Sequence, residues 1–300
     1  MRIAVTGGAG QLVNSMAERG PLAGHDVIAV GPPALDLALP GDDAVHAALD
    51  AARADVIVNA AAHTAVDKAE SEPDLAFAIN AVGAGAVARA AARIGVPLVH
   101  ISTDYVFSGD KVEPYVESDA TGPTGVYGAS KLAGEEAVLA SGADVAILRT
   151  AWVYSPFGAN FVKTMLRLAE SREEIGVVGD QHGNPTNALD LADAVIAVAQ
   201  HLAEGRDARH RGIFHATGNG DATWAGLAEA VFAASAADGG PSARVRHITT
   251  ADYPTPARRP HNSRLDCTAL FEQHGVRLPD WRISVAAVTT RLLHEKTIAA

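Results

Sequence analysis

Cysteine is nearly absent: Cys267 is the single one, which excludes an internal disulfide and leaves the redox compartment unreadable from pairing. It has no visible helix terminus or cationic setting and reads as inert. Basic residues are outnumbered by acidic ones, 24 to 35, and the formal charge of −11 argues against a nucleic-acid partner, which needs a basic face. A small anionic ligand remains compatible with that charge, because a few backbone N–H groups and arginines hold one locally. No apolar run approaches the roughly 20 residues that span a bilayer, so no membrane partner is expected. No charged and apolar leader precedes the first apolar run at Arg2, and a cytoplasmic location is expected. The histidines are scattered without metal-ligand spacing, so no metal is expected in the catalytic site. Repeats and low-complexity tracts are also missing.

The chain that remains has the balance of an ordinary globular protein, 48% hydrophobic and 20% charged over 300 residues. That length allows one large domain or two modest ones. Short β-branched runs at 2–6, 26–30, 55–59, 97–102 and 145–149 alternate with helical stretches at 11–19, 42–54, 73–95 and 128–141. Nearly continuous apolar strands separated by helices indicate a parallel sheet covered on both faces. The fold class is therefore α/β: a Rossmann-type doubly wound parallel sheet with a smaller α/β substrate-binding lid. Residues 1–150, joined by a returning helix at about 185–204, are expected to form the dinucleotide-binding domain. Residues 151–184 and 205–300 are expected to form the second domain, with helices at 160–170 and 223–234 and a segment rich in Pro, Arg and His at 241–266.

Gly7, Gly8 and Gly10 stand where the first strand hands over to the first helix. Glycines there allow close backbone approach, and the helix N-terminus presents free N–H groups to a pyrophosphate. Val13 occupies the place of a third glycine that would allow tight helix–strand packing, and a slightly displaced helix and weaker cofactor affinity are expected. After Val30 there is neither an acid for a ribose 2′-hydroxyl nor an arginine for a 2′-phosphate, so NADPH and NADH stay open as cofactors. Asp36-Leu37 is the nearest acid–apolar pair able to flank an adenosine.

Tyr127 and Lys131 are four apart, on one face of a helix. Hydride delivered to a ketone leaves an alkoxide that needs a positioned acid. A nearby ammonium is expected to lower the phenol from its free pKa of about 10. Thr103, at the end of the preceding strand, can hydrogen-bond the substrate carbonyl. The small residues Ala60, Ala61 and Ala62, followed by His63 and Thr64, leave room for a dinucleotide crossing the strand ends.

These motifs carry a resemblance that runs almost end to end. Asp55 to Glu70, Ser102 to Phe107, Val126-Tyr127-Gly128 with Lys131 to Glu135, Arg149 to Tyr154, Asp180-Gln181, Pro185-Thr186 and Tyr253 to Pro260 resemble the dTDP-4-dehydrorhamnose reductase family, on the extended short-chain dehydrogenase/reductase plan. The resemblance implies reduction of the C4 ketone of dTDP-4-dehydro-6-deoxy-L-mannose to dTDP-L-rhamnose. Tyr127 would be the proton donor, assisted by Lys131 and Thr103. Sugar contacts would fall at Thr103, Asp104 and Trp152. Cofactor contacts would fall at Gly7, Gly10, Gln11, Leu12, Asp36, Leu37, Ala61, Ala62, His63, Thr64, Tyr127 and Lys131. Some members are similar in forming a magnesium-linked homodimer through glutamates; the aligned positions here carry Ser15 and Leu189, and monomer or homodimer stays open. Reduction of a related 4-keto-6-deoxy sugar nucleotide, and a binding-only regulatory subunit of the same fold, are the alternatives. A dehydratase is disfavoured, because no glutamate follows Thr103-Asp104.

Overall fold

The computed structural model describes residues 1–205 and 207–299. Its first half runs β1 (Arg2–Thr6), α1 (Gln11–Leu22), β2 (Asp26–Val30), α2 (Asp42–Ala51), β3 (Val56–Asn59), α3 (Val66–Ala69), α4 (Pro73–Phe77), a π-helical segment (Ala78–Gly83), α5 (Ala84–Ile94), β4 (Leu98–Thr103), α6 (Val126–Leu139) and β5 (Val145–Thr150). The second half runs β6 (Val153–Tyr154), α7 (Phe161–Ala169), β7 (Glu174–Val178), β8 (His182–Gly183), β9 (Thr186–Asn187), α8 (Ala188–Glu204), β10 (Gly212–His215), β11 (Ala222–Thr223), α9 (Trp224–Ala237), β12 (Arg244–Ile248), α10 (Thr268–His274) and α11 (Trp281–Ala299).

Six strands form one parallel sheet in the order β10-β5-β4-β3-β1-β2. Successive residues of a strand face opposite sides of the sheet. Thus Val56 and Val58 of β3 pack with Leu12 and Met16 of α1 and Leu191 and Val195 of α8. Ile57, between them, packs with Val45 and Leu49 of α2 and Val87 of α5. Strands buried on both sides must be apolar throughout, which is why these runs lack polar alternation. A separate core joins Val162 and Leu166 of α7, Ile175 and Val177 of β7, Leu227 and Val231 of α9 and Val285 of α11. There β7 and β12 pair in parallel.

Two expectations change. Gly212–His215 lies within the 205–300 stretch assigned to the second domain, yet it forms the sixth strand of the main sheet, alongside β5. All six residues of β5 are buried, so β5 needs a neighbour on each edge. Leu270 and Leu278 likewise join the main core. The second change concerns the absence of a membrane-length apolar run. Pro73–Ile94 is one helical stretch of 22 residues, long and apolar enough to cross a membrane by length and composition. Its central face instead packs on the sheet: Ala84, Val87, Ala88 and Ala91 belong to the core beneath α2 and α6.

Candidate active site

The order of strands reverses between β1 and β3, whose chains leave the sheet in opposite directions, and such switch points open crevices at the strand carboxyl ends. A cleft of about 730 Å³ lies there, bordered by the Gly7–Leu12 loop, Ala60–Ala62, the end of β4, the start of α6 and Trp152.

Gly7 takes φ +111°, and a Cβ on Gly31 would sit 2.8 Å from the Gly7 carbonyl carbon, so the two backbones pass at a distance only glycine allows. Gly10 caps α1 without a side-chain hydrogen bond, leaving its first-turn N–H groups for an anion. This cradle fits a dinucleotide pyrophosphate. Val13 is buried in the core with α8, and its Cγ2 would lie 3.3 Å from a Cβ at Gly7. Beneath the loop, Thr6 Oγ1 donates to Asn59 Oδ1 at 2.7 Å and accepts the Ala60 and Ala61 N–H groups at 3.1 Å. Asn59 Nδ2 donates to His100 Nδ1 at 3.0 Å, and burial holds His100 well below the usual imidazole range, so it is neutral. This network sets the path of the alanine loop. Gln11 borders the cleft, but its amide is engaged elsewhere: Oε1 accepts from Ser155 Oγ at 2.8 Å and Asn160 Nδ2 at 3.0 Å.

Tyr127 and Lys131 both line the cleft on α6, and Thr103 and Asp104 line it from the end of β4. Gly128 is required between them: a Cβ there would lie 2.2 Å from the Tyr105 carbonyl oxygen. The Glu70 carboxylate accepts the Val126 N–H at 2.8 Å and so caps the turn that carries Tyr127. One turn beyond Lys131, buried Glu135 binds Arg149 of β5 through two contacts of 2.9 and 2.7 Å and accepts Ser102 Oγ of β4 at 2.5 Å. The helix is thereby pinned to two strands.

The electrostatics correct one expectation. Lys131 does not lower the phenol in this state: burial pushes Tyr127 up to about 12, against a smaller opposing pull from the Thr103 hydroxyl. Lys131 Nζ instead donates to the Ile101 carbonyl at 2.8 Å. Burial brings its pKa down to about 8, with Glu135 pulling it back upward. Desolvation disfavours the charged form of both groups, and in each it is the largest effect. Asp104, also buried, is raised to about 6 despite hydrogen bonds from Ser263 and Thr103. Asp104 and Thr150 border the cleft, and Asp104 Oδ2 and Thr150 Oγ1 are buried without a hydrogen-bond partner.

Of the other residues expected to meet cofactor or substrate, Asp36, Leu37, Ala61, Ala62, Thr64 and Trp152 border the cleft. The Asp36 carboxylate accepts the Ala38 N–H at 2.9 Å, bending the chain around the crevice rim. Trp152 takes the strained φ of +46° and stacks on Trp224 at 3.7 Å. His63 is the exception. Its ring turns away to donate to Glu72 at 3.3 Å, and Asn80 binds both its N–H, at 2.8 Å, and its carbonyl, at 3.1 Å. It therefore does not border the cleft.

Asn80 had no role in the sequence reading. It also donates to Ser130 Oγ at 2.9 Å, and Ser130 Oγ donates to the Tyr127 carbonyl at 2.8 Å, so Asn80 joins the loop after β3 to α6. A lone asparagine inside an apolar helical stretch was the available signal. Asn80 lies in the π-helical segment, a distortion common at functional sites. Arg259 binds Asp67 at 2.8 Å and ties the 254–260 segment to α3, while Arg258 stays exposed. Ser15 is buried and donates to the Gln11 carbonyl. His201, His210 and His274 come together away from the cleft.

This sheet, this glycine loop and this tyrosine–lysine helix define a Rossmann-type short-chain dehydrogenase/reductase. A family model described as the RmlD substrate binding domain matches residues 1–294. A dTDP-4-dehydrorhamnose reductase of Sinorhizobium fredii is 48% identical over 296 residues, spanning 98% of this chain and 99% of that protein. The structure of a dTDP-4-dehydrorhamnose reductase from Clostridium acetobutylicum superposes with a TM-score of 0.89 at 36% identity, over 98% of this chain and 100% of that one. Another, from Bacillus anthracis in complex with NADP, superposes with a TM-score of 0.88 at 35% identity, over 97% and 99% of the two chains. The chain belongs to the dTDP-4-dehydrorhamnose reductase family.

Proposed function

We propose that this protein reduces the C4 ketone of dTDP-4-dehydro-6-deoxy-L-mannose to dTDP-L-rhamnose, using NADPH or NADH. The observation that carries the reading is one cleft with a pyrophosphate cradle at one end and Thr103, Tyr127 and Lys131 at the other. The NADP-bound structure of the Bacillus anthracis relative supports the choice of cofactor class. The Gly7–Leu12 loop would hold the pyrophosphate, Asp36 and Leu37 the adenosine end, and Ala61, Ala62 and Thr64 the middle. A nicotinamide supplies a hydride when bound.

Thr103 Oγ1 turns its proton from Asp104 Oδ1, 2.9 Å away, to the C4 carbonyl and polarises it, and Tyr127 gives its phenolic proton to the oxygen as charge develops there. A phenol held near 12 stays protonated until that moment, and an alkoxide is a stronger base than a phenolate, so the transfer still runs downhill. The phenolate left behind is offset by the Lys131 ammonium, which exchanges its Ile101 contact for the new charge. Asp104 and Trp152 orient the sugar. We assign the reaction to the cytoplasm, with a dTDP-sugar as substrate and a monomer or homodimer as the working form.

The test mixes the purified protein with NADPH or NADH and the 4-keto sugar nucleotide, follows nicotinamide absorbance and identifies the product by NMR. Cofactor oxidation yielding dTDP-L-rhamnose is the expected result. A different C4 epimer, or cofactor binding without turnover, would overturn it.

A further inference from the structure

We propose that His201, His210 and His274 form a binding site for a divalent transition-metal ion, Zn²⁺ in the first instance, that clasps the α8–β10 connection to α10. His201 lies in the last turn of α8, His210 in a single 3-10 turn (Ala208–His210), and His274 ends α10. His274 is far in sequence from the other two, yet a ligand atom from each lies within 4.8 Å of the others. The ring centroids stand 4.8, 5.4 and 4.9 Å apart pairwise. Three mutually near-equal distances make a triangle around a point, whereas a column of stacked rings would put the outer pair much farther apart.

The size of that triangle suits a metal. Three imidazole nitrogens at about 2.0–2.1 Å from a tetrahedral Zn²⁺ stand roughly 3.3–3.4 Å apart, with ring centroids about 5.2 Å apart. His201 Nδ1 and His274 Nδ1 are already 3.2 Å apart. His210 completes the set by a small ring rotation. Its Nδ1 is buried without a hydrogen-bond partner, a cost that a bound ion removes. The Phe214 ring meets His274 edge-on at 4.7 Å and holds it in place. The carboxyl end of α8 adds a favourable partial negative charge. Arg211, whose charge acts on His274, is paired with Asp144 through contacts of 2.6 and 2.8 Å. Water or hydroxide fills the fourth position.

Leu191 borders the cleft from the start of α8, and His201 lies roughly 15 Å farther along the helix at 1.5 Å per residue, so the ion takes no part in the hydride chemistry. Its role is structural: it fastens the segment that delivers β10 to the sheet edge. This inference stands independently of the proposed activity.

The test uses the full chain, untagged and stripped with chelator, titrated with Co²⁺ and with Zn²⁺ against a chromophoric chelator. One equivalent is expected to bind with micromolar or tighter affinity, Co²⁺ giving the visible bands of a tetrahedral site, and Zn²⁺ raising Tm by several degrees. His210→Ala and His201→Gln, both at partly exposed positions, should each weaken binding at least tenfold and abolish the Tm rise. His182→Ala, a remote histidine, should leave both unchanged. Absence of saturable binding in the wild-type chain, or wild-type affinity in folded His210→Ala and His201→Gln proteins, would overturn the proposal.

Discussion

Replacing Glu135 by alanine tests whether the clamp beneath the active-site helix holds it in place. The Glu135 and Arg149 side chains are 2% and 3% exposed, so removing the carboxylate leaves a guanidinium buried without a counter-ion. Breaking a buried pair from one side costs about 3–5 kcal/mol, and Ser102 Oγ also loses its acceptor, worth about 1 kcal/mol more. At roughly 2–4 °C per kcal/mol for larger domains, Tm should fall by about 8 °C or more. Arg149 keeps its stacking on Phe107, 5.0 Å from the ring centre, which does not replace the lost charge partner. Glu135→Met with Arg149→Met removes both charges and should recover most of the loss, because the pair's attraction largely repays only its own desolvation. Urea unfolding of the wild type, both single variants and the double variant reads these terms directly. Function adds a second readout: Glu135 holds up the Lys131 pKa, so Glu135→Ala should move the alkaline limb of kcat/KM to lower pH. A single-variant loss below about 1 kcal/mol, or a double variant worse than either single, would refute this account of the clamp.

Tyr127→Phe should lower kcat by about 10²–10⁴-fold while leaving cofactor affinity and the circular dichroism spectrum near wild type; a fully active variant would remove the proposed proton donor. The kcat/KM profile should fall as pH rises through about 8, where Lys131 loses its proton, and Lys131→Arg should push that limb upward. An unmoved limb would assign the ionisation to another group. Asp104 is held near 6, above its unfolded value, so its ionised form opposes folding at neutral pH and the penalty fades as pH falls from about 6 towards about 4. Asp104→Asn should therefore gain stability over wild type above pH 6 and lose that advantage near pH 4, as chemical denaturation across that range will read. Val13→Gly opens the core between α1 and α8 and should cost about 1–3 kcal/mol in stability, and a cofactor titration shows whether affinity rises as the expected displacement of α1 requires.

Sequence alone carried the alternation of strands and helices through β5, because a parallel sheet covered on both faces demands unbroken apolar runs, and that demand is local. It carried the glycine loop and the Tyr127–Lys131 spacing for the same reason: each depends on one strand end or one helical turn. Tertiary structure decided whatever rests on contacts between distant segments. β10 is four residues long and becomes a strand only because β5 offers it an edge. His63 looked like a cleft residue until Asn80, on a helix packed nearby, took its backbone and Glu72 took its ring. The Tyr127 phenol was expected below its free value and lies above it, since spacing places Lys131 on the same helical face but does not report burial, which is the largest effect. His274 meets the distant His201 and His210 because the ends of α8 and α10 converge beside β10. Periodicity and turn chemistry are written residue by residue, whereas desolvation and convergence belong to the folded chain as a whole.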